Sequence, residues 1–419
     1  MEPKELKFPD KFYWGAATAA HQVEGGNLND WSEWEKANAE KLAKEAPDKW
    51  QEWQKDQFQE MFSPNNYISG VACDHYNLFE KDFDIAKSLG HNAHRFSVEW
   101  SRIEPEEGKF NEKEIEHYRQ VIRALKSRNI EPFVTLWHWT MPIWMRDLGG
   151  VKSKKFPEYF SRYAEKMAEV FKEDVKFWIT LNEPTAIVAM SYIRGDWPPQ
   201  EKNPISALFA LKNLSRAHNL AYGAIRKVYS DAQVGFSHNM FYYEPYNKKC
   251  WLDKSVVKIA EYFANERFLN LTKGKNDFLG LQYYFHSRFR FPGLLRNENK
   301  SVSDLKWEIY PEGIYHILKG LKKYNLPIYI TENGLADAGD RKRGEFIKNH
   351  LINVHRAIAE GADVRGYLYW SLLDNFEWDK GFWPRFGLVE VDYHTQERKI
   401  RPSALEYKKI IEGNAIKIQ

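Results

Sequence analysis

Two glutamates stand where a carboxylate is costly to bury unless something uses it. Glu183 closes the run Trp178-Ile179-Thr180-Leu181-Asn182 and precedes Pro184, and Glu332 closes Ile328-Tyr329-Ile330-Thr331 and precedes Asn333-Gly334. Each run is apolar and β-branched, and each glutamate is followed at once by a residue that stops a strand. Desolvating a carboxylate at the tip of a buried strand costs free energy. Two such groups brought to one place form the acid pair that cleavage of a glycosidic bond employs. Taken alone, either glutamate reads equally well as a solvated loop acid, so the elements that carry them must decide.

Strand-like and helix-like stretches alternate along the chain. Strands are expected over Phe12–Thr18, Ala93–Val98, Pro132–Trp137, Val175–Leu181, Gln233–Ser237, Phe278–Tyr283, Pro327–Thr331 and Val364–Trp370. Amphipathic helices are expected over Asp82–Leu89, Glu112–Arg128, Pro157–Lys172, Ala207–Tyr229, Glu312–Lys323 and Arg343–Glu360. Strict alternation argues an α/β fold whose parallel strands close into a (β/α)8 TIM barrel, here a single domain over residues 1–419 with elaborated βα loops. A doubly wound sheet would need a glycine-rich phosphate turn after its first strand, and Gly15-Ala16-Ala17-Thr18 lacks that spacing. The segment 30–68, with Trp31, Trp34, Trp50, Trp53, Phe58, Met61 and Phe62 among Lys and Glu, reads as a helical insertion over the barrel mouth whose tryptophans pack. Phe289–Lys306, basic and rich in Asn, reads as a loop after the sixth strand.

Composition narrows the partners. With 419 residues, 43% hydrophobic, 28% charged and a formal net charge of +3, the chain has the make-up of a globular enzyme and no basic face for nucleic acid. The aromatic share of 16% suits core packing and also stacking on sugar rings. Met1-Glu2-Pro3-Lys4-Glu5-Leu6-Lys7 has no apolar leader and no run is long enough to span a bilayer, so a cytoplasmic location is expected. Cys73 and Cys250 form no disulfide framework, and the trio Cys73-Asp74-His75 reads as structural, so neither metal nor cofactor is expected. Oligomeric state is not legible.

In a barrel of this kind the loops at the carboxyl ends of the strands build the site. Glu183 would then follow strand four and Glu332 strand seven, across one mouth. Other strand ends supply Gln22 and Glu24, Arg95 and Glu99, His138, Tyr284 and Trp370. One or two polar groups there would be coincidence; a convergent set is a rim.

The chain resembles, essentially end to end, the β-glucosidases and β-glycosidases of glycoside hydrolase family 1. The stretch Phe12-Tyr13-Trp14-Gly15-Ala16-Ala17-Thr18-Ala19-Ala20-His21-Gln22-Val23-Glu24-Gly25-Gly26 is similar to that family's N-terminal signature, and Arg95-Phe96-Ser97-Val98-Glu99-Trp100-Ser101-Arg102-Ile103 to its second-strand motif. Thr180–Pro184 and Thr331–Gly334 resemble its two catalytic motifs. Tyr369-Trp370-Ser371, Asn375-Phe376-Glu377-Trp378 and Arg385-Phe386-Gly387-Leu388 complete the likeness. The resemblance implies retaining hydrolysis of a small-molecule β-glycoside, with Glu183 as acid/base, Glu332 as nucleophile, and Arg95 and Tyr284 holding Glu332 anionic. It also implies that Gln22, His138, Asn182, Glu377 and Trp378 bond the sugar hydroxyls, Asn182 the 2-hydroxyl, over a stacking floor of Trp370. A non-proline cis peptide at Trp370-Ser371 is expected on the same ground.

Two departures from the family pattern touch the hydrogen bonding of Glu332 or Asn182 and the loop after strand three, and a third position bears on specificity. Gln282 stands where the family usually has asparagine before its paired tyrosines, here Tyr283 and Tyr284, and Trp137-His138-Trp139-Thr140 replaces a usual Tyr-His-Trp-Asp. Glu377 stands where the phosphorylated-sugar branch usually has serine, which points to an unphosphorylated glycone. A carbohydrate-binding relative without turnover would lack one of the two glutamates. Transfer of the glycosyl unit to an alcohol rather than water stays open at this level, as does the aglycone.

Overall fold

A computed structural model describes residues 4–418; Met1–Pro3, part of the segment read for a leader, and Gln419 lie outside the described residues. Eight parallel strands close into a barrel. In chain order they are β1 (Tyr13–Ala17), β2 (Ala93–Ser97), β3 (Glu131–Trp137), β4 (Phe177–Asn182), β5 (Gln233–Asn239), β6 (Leu279–Gln282), β7 (Ile328–Glu332) and β8 (Val364–Trp370), with β8 pairing back onto β1. Every expected strand is present, its ends displaced by no more than two residues.

The helices follow their strands around the outside. After α1 (Asp30–Lys49) come α2 (His75–Ser88), α3 (Glu112–Ser127), α4 (Phe156–Phe171), α5 (Pro204–Val228), α6 (Trp251–Glu261), α7 (Glu312–Leu321), α8 (Arg343–Ala359) and α9 (Pro402–Gly413). Local chemistry sets their starts. Asn111 accepts from the backbone N–H groups of Lys113 and Glu114 at the head of α3, and Asn203 accepts from Ile205 and Ser206 with Pro204 at the first helical position of α5. Two expectations need correction. Helix α2 begins at His75 rather than Asp82, because the chain leaves a left-handed turn at Asp74 (φ 49°) straight into helix. The first part of Phe289–Lys306 is not a loop: His286–Arg290 pairs parallel with Tyr242–Pro245 and antiparallel with Leu294–Leu295, a small sheet assembled from the excursions after β5 and β6.

At the amino end of the strands the barrel is floored by aromatic rings. Phe133 and Phe177 stack at 4.3 Å and 7°, Tyr329 meets Phe133, Phe177 and Phe278 edge-on, and Tyr13 meets Phe133 and Phe177 edge-on. At the other end α1 follows β1, held by a reciprocal cap between Asn29 and Ser32. Trp31 is fully buried at 4.6 Å from Trp378, and Trp34 is buried at 5.3 Å from Trp31. Trp50 and Phe58 pack on Trp383. Trp53 departs from the packing role: it is exposed and its indole N–H donates to Gln51 Oε1. Among the described residues no helix is long and apolar enough to cross a membrane.

Candidate active site

Both glutamates arrive at the carboxyl end of the barrel through irregular backbone. The register between β4 and β5 shifts between Ile179 and Asn182, and that between β7 and β6 shifts between Ile330 and Glu332. Such bulges re-aim a side chain. Glu183 itself has φ 42°, with its N–H donating to Ser237 O at 2.8 Å. Opposite, a Cβ on Gly334 would lie 1.8 Å from the Trp370 carbonyl oxygen, so only glycine lets β7 and β8 run this close just beyond Glu332.

Arg95, on β2 and fully buried, reaches side chains on β3, β4 and, across the barrel, β7. Its Nε donates to Thr135 Oγ1 at 2.9 Å, Nη1 to Glu332 Oε1, and Nη2 to Asn182 Oδ1 at 2.6 Å. Tyr284 donates its hydroxyl to Glu332 Oε2 at 2.8 Å. Burial raises the Glu332 carboxyl from its ordinary value, while Arg95 and the Tyr284 hydroxyl pull it back. Glu183 is raised well above its ordinary value, first by burial and then by the negative Glu332; Arg95 and a hydrogen bond from Asn239 oppose, and Glu377 adds to the rise. Among the described residues no ion pair reaches Glu183. Burial pushes the Tyr284 hydroxyl well up, so it keeps its proton and remains a donor. The arrangement thus sets a carboxyl braced on both oxygens within electrostatic reach of one that burial and the neighbouring negative charge drive further toward its protonated form.

Around this pair lie half-used polar groups. Gln22 spends its Nε2 on Asn375 Oδ1 at 3.0 Å and Phe376 O at 2.8 Å, which leaves Oε1 buried without a protein partner. His138 Nε2 meets Asn182 Nδ2 at 3.0 Å, and its Nδ1 is likewise buried and unpartnered. Burial, with Arg95 and His21 nearby, lowers the His138 pKa well below the usual range, so the ring is neutral. Its plane lies near those of Trp370 (6.0 Å, 25°) and Trp378 (5.9 Å, 15°). Glu377 Oε2 is unpartnered, and burial, despite Lys380, pushes its carboxyl up to about 8. Buried polar groups are normally paired; several orphans in one place form a template for a ligand with many hydroxyls. The Trp370-Ser371 peptide bond is cis, as expected.

The structure therefore gathers Gln22, Arg95, His138, Asn182, Glu183, Tyr284, Glu332, Trp370, Glu377 and Trp378. Two acids of the expected rim turn elsewhere. Glu24 accepts from Arg102 Nε at 2.9 Å and the Tyr118 hydroxyl at 2.8 Å, and Glu99 accepts from Ser101 and Thr140. Both serve the packing behind β1 and β2. Cys73 donates its thiol to Asp374 O and His75 pairs with Asp82, so that trio is structural. Sequence reasoning missed Asn239, the Glu183 partner, because strand five was ended at Ser237; following the strand two residues further would have found it.

The model of "Glycosyl hydrolase family 1" matches residues 4–275 and 263–416. The chain belongs to glycosyl hydrolase family 1. It is a glycoside hydrolase of the (β/α)8 class. Family 1 relatives include a 1,4-beta-D-glucan glucohydrolase of Thermotoga neapolitana, 34% identical over 98% of this chain and 99% of that protein. A beta-galactosidase of Pyrococcus woesei is 30% identical, covering 98% of each. Among solved structures, a beta-glycosidase from Pyrococcus horikoshii is 38% identical with a TM-score of 0.88, over 99% of this chain and 97% of that one.

Proposed function

We propose that this family 1 hydrolase is a retaining exo-β-glycosidase. It removes terminal unphosphorylated β-D-glucosyl residues, with galactosyl, mannosyl or fucosyl units as alternatives. The observation that carries the reading is the asymmetry of the pair: Arg95 and Tyr284 both donate to Glu332 and neither donates to Glu183. In the first step a Glu332 oxygen bonds the anomeric carbon while the bond to the aglycone oxygen breaks, and that oxygen takes the proton from Glu183. The ester removes the negative charge beside Glu183, whose pKa falls. As a base it then takes a proton from water, the water oxygen bonds the anomeric carbon, and the ester bond breaks to restore the Glu332 carboxylate. Asn182, Gln22, His138, Glu377 and Trp378 bond the glycone, and Trp370 underlies it.

The names of the glucohydrolase and galactosidase relatives support gluco and galacto configurations. The free thiols of Cys73 and Cys250 support a reducing, cytoplasmic setting. Packing of Trp31 on Trp378 supports reading the chain as one catalytic domain with an insertion at 30–68 that borders the site. The test uses aryl β-glycosides with wild type, Glu332→Gly and Glu183→Ala. The first variant should lose turnover, the second should recover on adding azide and yield a β-glycosyl azide, and wild type should release the β-anomer first. Both variants turning over like wild type would overturn the assignment.

A further inference from the structure

The geometry points to Gln282 as a positioning residue that acts through Asn182 on the tautomer of His138, and so on which sugar-facing atoms donate. The inference deepens the proposed function by assigning the direction of the hydrogen bonds around the glycone.

The chain of reasoning starts at a group that can only donate. A guanidinium has no acceptor, so the Asn182 atom 2.6 Å from Arg95 Nη2 is Oδ1. A carbonyl oxygen takes a second hydrogen bond, and here it comes from the Gln282 amide at 2.8 Å, which must present Nε2. Gln282 lies on β6 and Asn182 on β4, with β5 between them, so the glutamine side chain reaches across the barrel interior. Both lone pairs of Asn182 Oδ1 are then occupied and its amide cannot turn over. Nδ2 is held toward His138 Nε2 at 3.0 Å. An N–H donor opposite Nε2 requires a lone pair there, so the neutral ring carries its proton on Nδ1. That Nδ1 is buried and has no protein partner. His138 and Asn182 therefore offer N–H donors to the sugar, one from each residue, while Gln22, in the helical turn Ala20–Val23 after β1, offers an acceptor, Oε1.

Glutamine at this position is the departure from the asparagine expected before Tyr283 and Tyr284. Its amide reaches Asn182 Oδ1 at 2.8 Å. Replacing it with methionine keeps the reach and much of the volume but removes the donor. Replacing it with glutamate inverts the chemistry, because a carboxylate repels Asn182 Oδ1 and attracts Arg95. Drawing Arg95 Nη2 away removes the second brace on Asn182 Oδ1 as well, so the asparagine amide turns Nδ2 to the carboxylate and its oxygen to His138, which moves the ring proton to Nε2.

Two measurements test this. Nitrogen-15 spectra of histidine-labelled, substrate-free protein, with His138→Gln to assign the signal, should show the Nδ1–H tautomer in wild type and the Nε2–H tautomer in Gln282→Glu. The second measurement is kcat/KM for aryl β-glucoside against its 2-deoxy analogue. Loss of one brace on Asn182 should shrink that discrimination about fivefold to tenfold in Gln282→Met, the worth of one hydrogen bond. An Nε2–H signal in wild type, or unchanged 2-deoxy discrimination in Gln282→Met, overturns the inference. If Gln282→Met fails to fold, the wild-type tautomer alone decides. Absence of turnover by wild type on either glycoside would instead count against the proposed activity and leave the tautomer measurement standing.

Discussion

Replacing Tyr284 with phenylalanine removes a single hydroxyl, the one that donates to Glu332 Oε2 at 2.8 Å. The Glu332 anion then keeps Arg95 on Oε1 and has nothing on its other oxygen. A hydrogen bond to a charged group is worth about 1.5–3 kcal/mol. At about 1.4 kcal/mol per pKa unit, losing it raises the carboxyl by about 1–2 units above its already raised position. On the proposed mechanism Glu332 must be anionic to attack, so the acid limb of kcat/KM should move to higher pH by that amount. The alkaline limb, set by loss of the Glu183 proton while Glu332 is charged, should move much less, so the bell narrows from its acid side. The limbs belong to the pair rather than to either residue, and the narrowing is therefore the readable quantity. The assay is the pH dependence of kcat/KM on an aryl β-glucoside with a poor leaving group. An acid limb that stays in place or moves down would refute the assignment of Tyr284 as a stabiliser of the anion.

Three further outcomes follow from the same geometry. Glu377 is pushed to about 8 when folded against 4.5 as its ordinary value, so burial penalises folding increasingly as pH rises through that window. Glu377→Gln should therefore gain up to a few kcal/mol at pH 8.5 and nothing at pH 4, read by calorimetry, while losing glycosidase activity. Arg95→Met leaves Glu332 and Asn182 without their shared donor in a buried site, and should cost about 3–5 kcal/mol in urea unfolding as well as turnover. Gly334→Ala forces a Cβ to 1.8 Å from the Trp370 carbonyl oxygen, so the β7–β8 edge must part; a lowered Tm with kcat down more than tenfold is expected, and wild-type values for both would contradict the close approach.

The barrel was legible because its strands are short, apolar and bounded by turn residues, so each declares itself locally. What escaped depends on partners distant in sequence. Tyr242–Pro245 becomes a strand only against His286–Arg290, and the edge pair Lys4–Lys7 and Ala415–Ile418 joins the two ends of the described chain. Helix α6 was invisible for another reason: Trp251 and Ile259 are exposed, so its apolar residues do not trace a buried stripe. Helix α9 did carry a start signal in Pro402 and a buried face in Ala404, Tyr407 and Ile411. At the site, residue types revealed which groups converge, while the division of labour between Arg95, Asn182 and Gln282 needed the distances. Glu24 and Glu99 show the converse, since a place near a strand end does not say which way a side chain turns. Gly334 was read as a strand terminator, yet its role is to admit the neighbouring backbone.

The aromatic floor formed by Tyr13, Phe133, Phe177, Phe278 and Tyr329 makes the barrel a cup rather than a tunnel. Whatever enters does so by one door and departs by it. The two acids stand at the rim of the cup, at the carboxyl ends of β4 and β7, so a ligand meets them from that side alone. On the proposed mechanism the detached half must clear that opening before water arrives or the freed sugar leaves, and bulk crowding it would slow both.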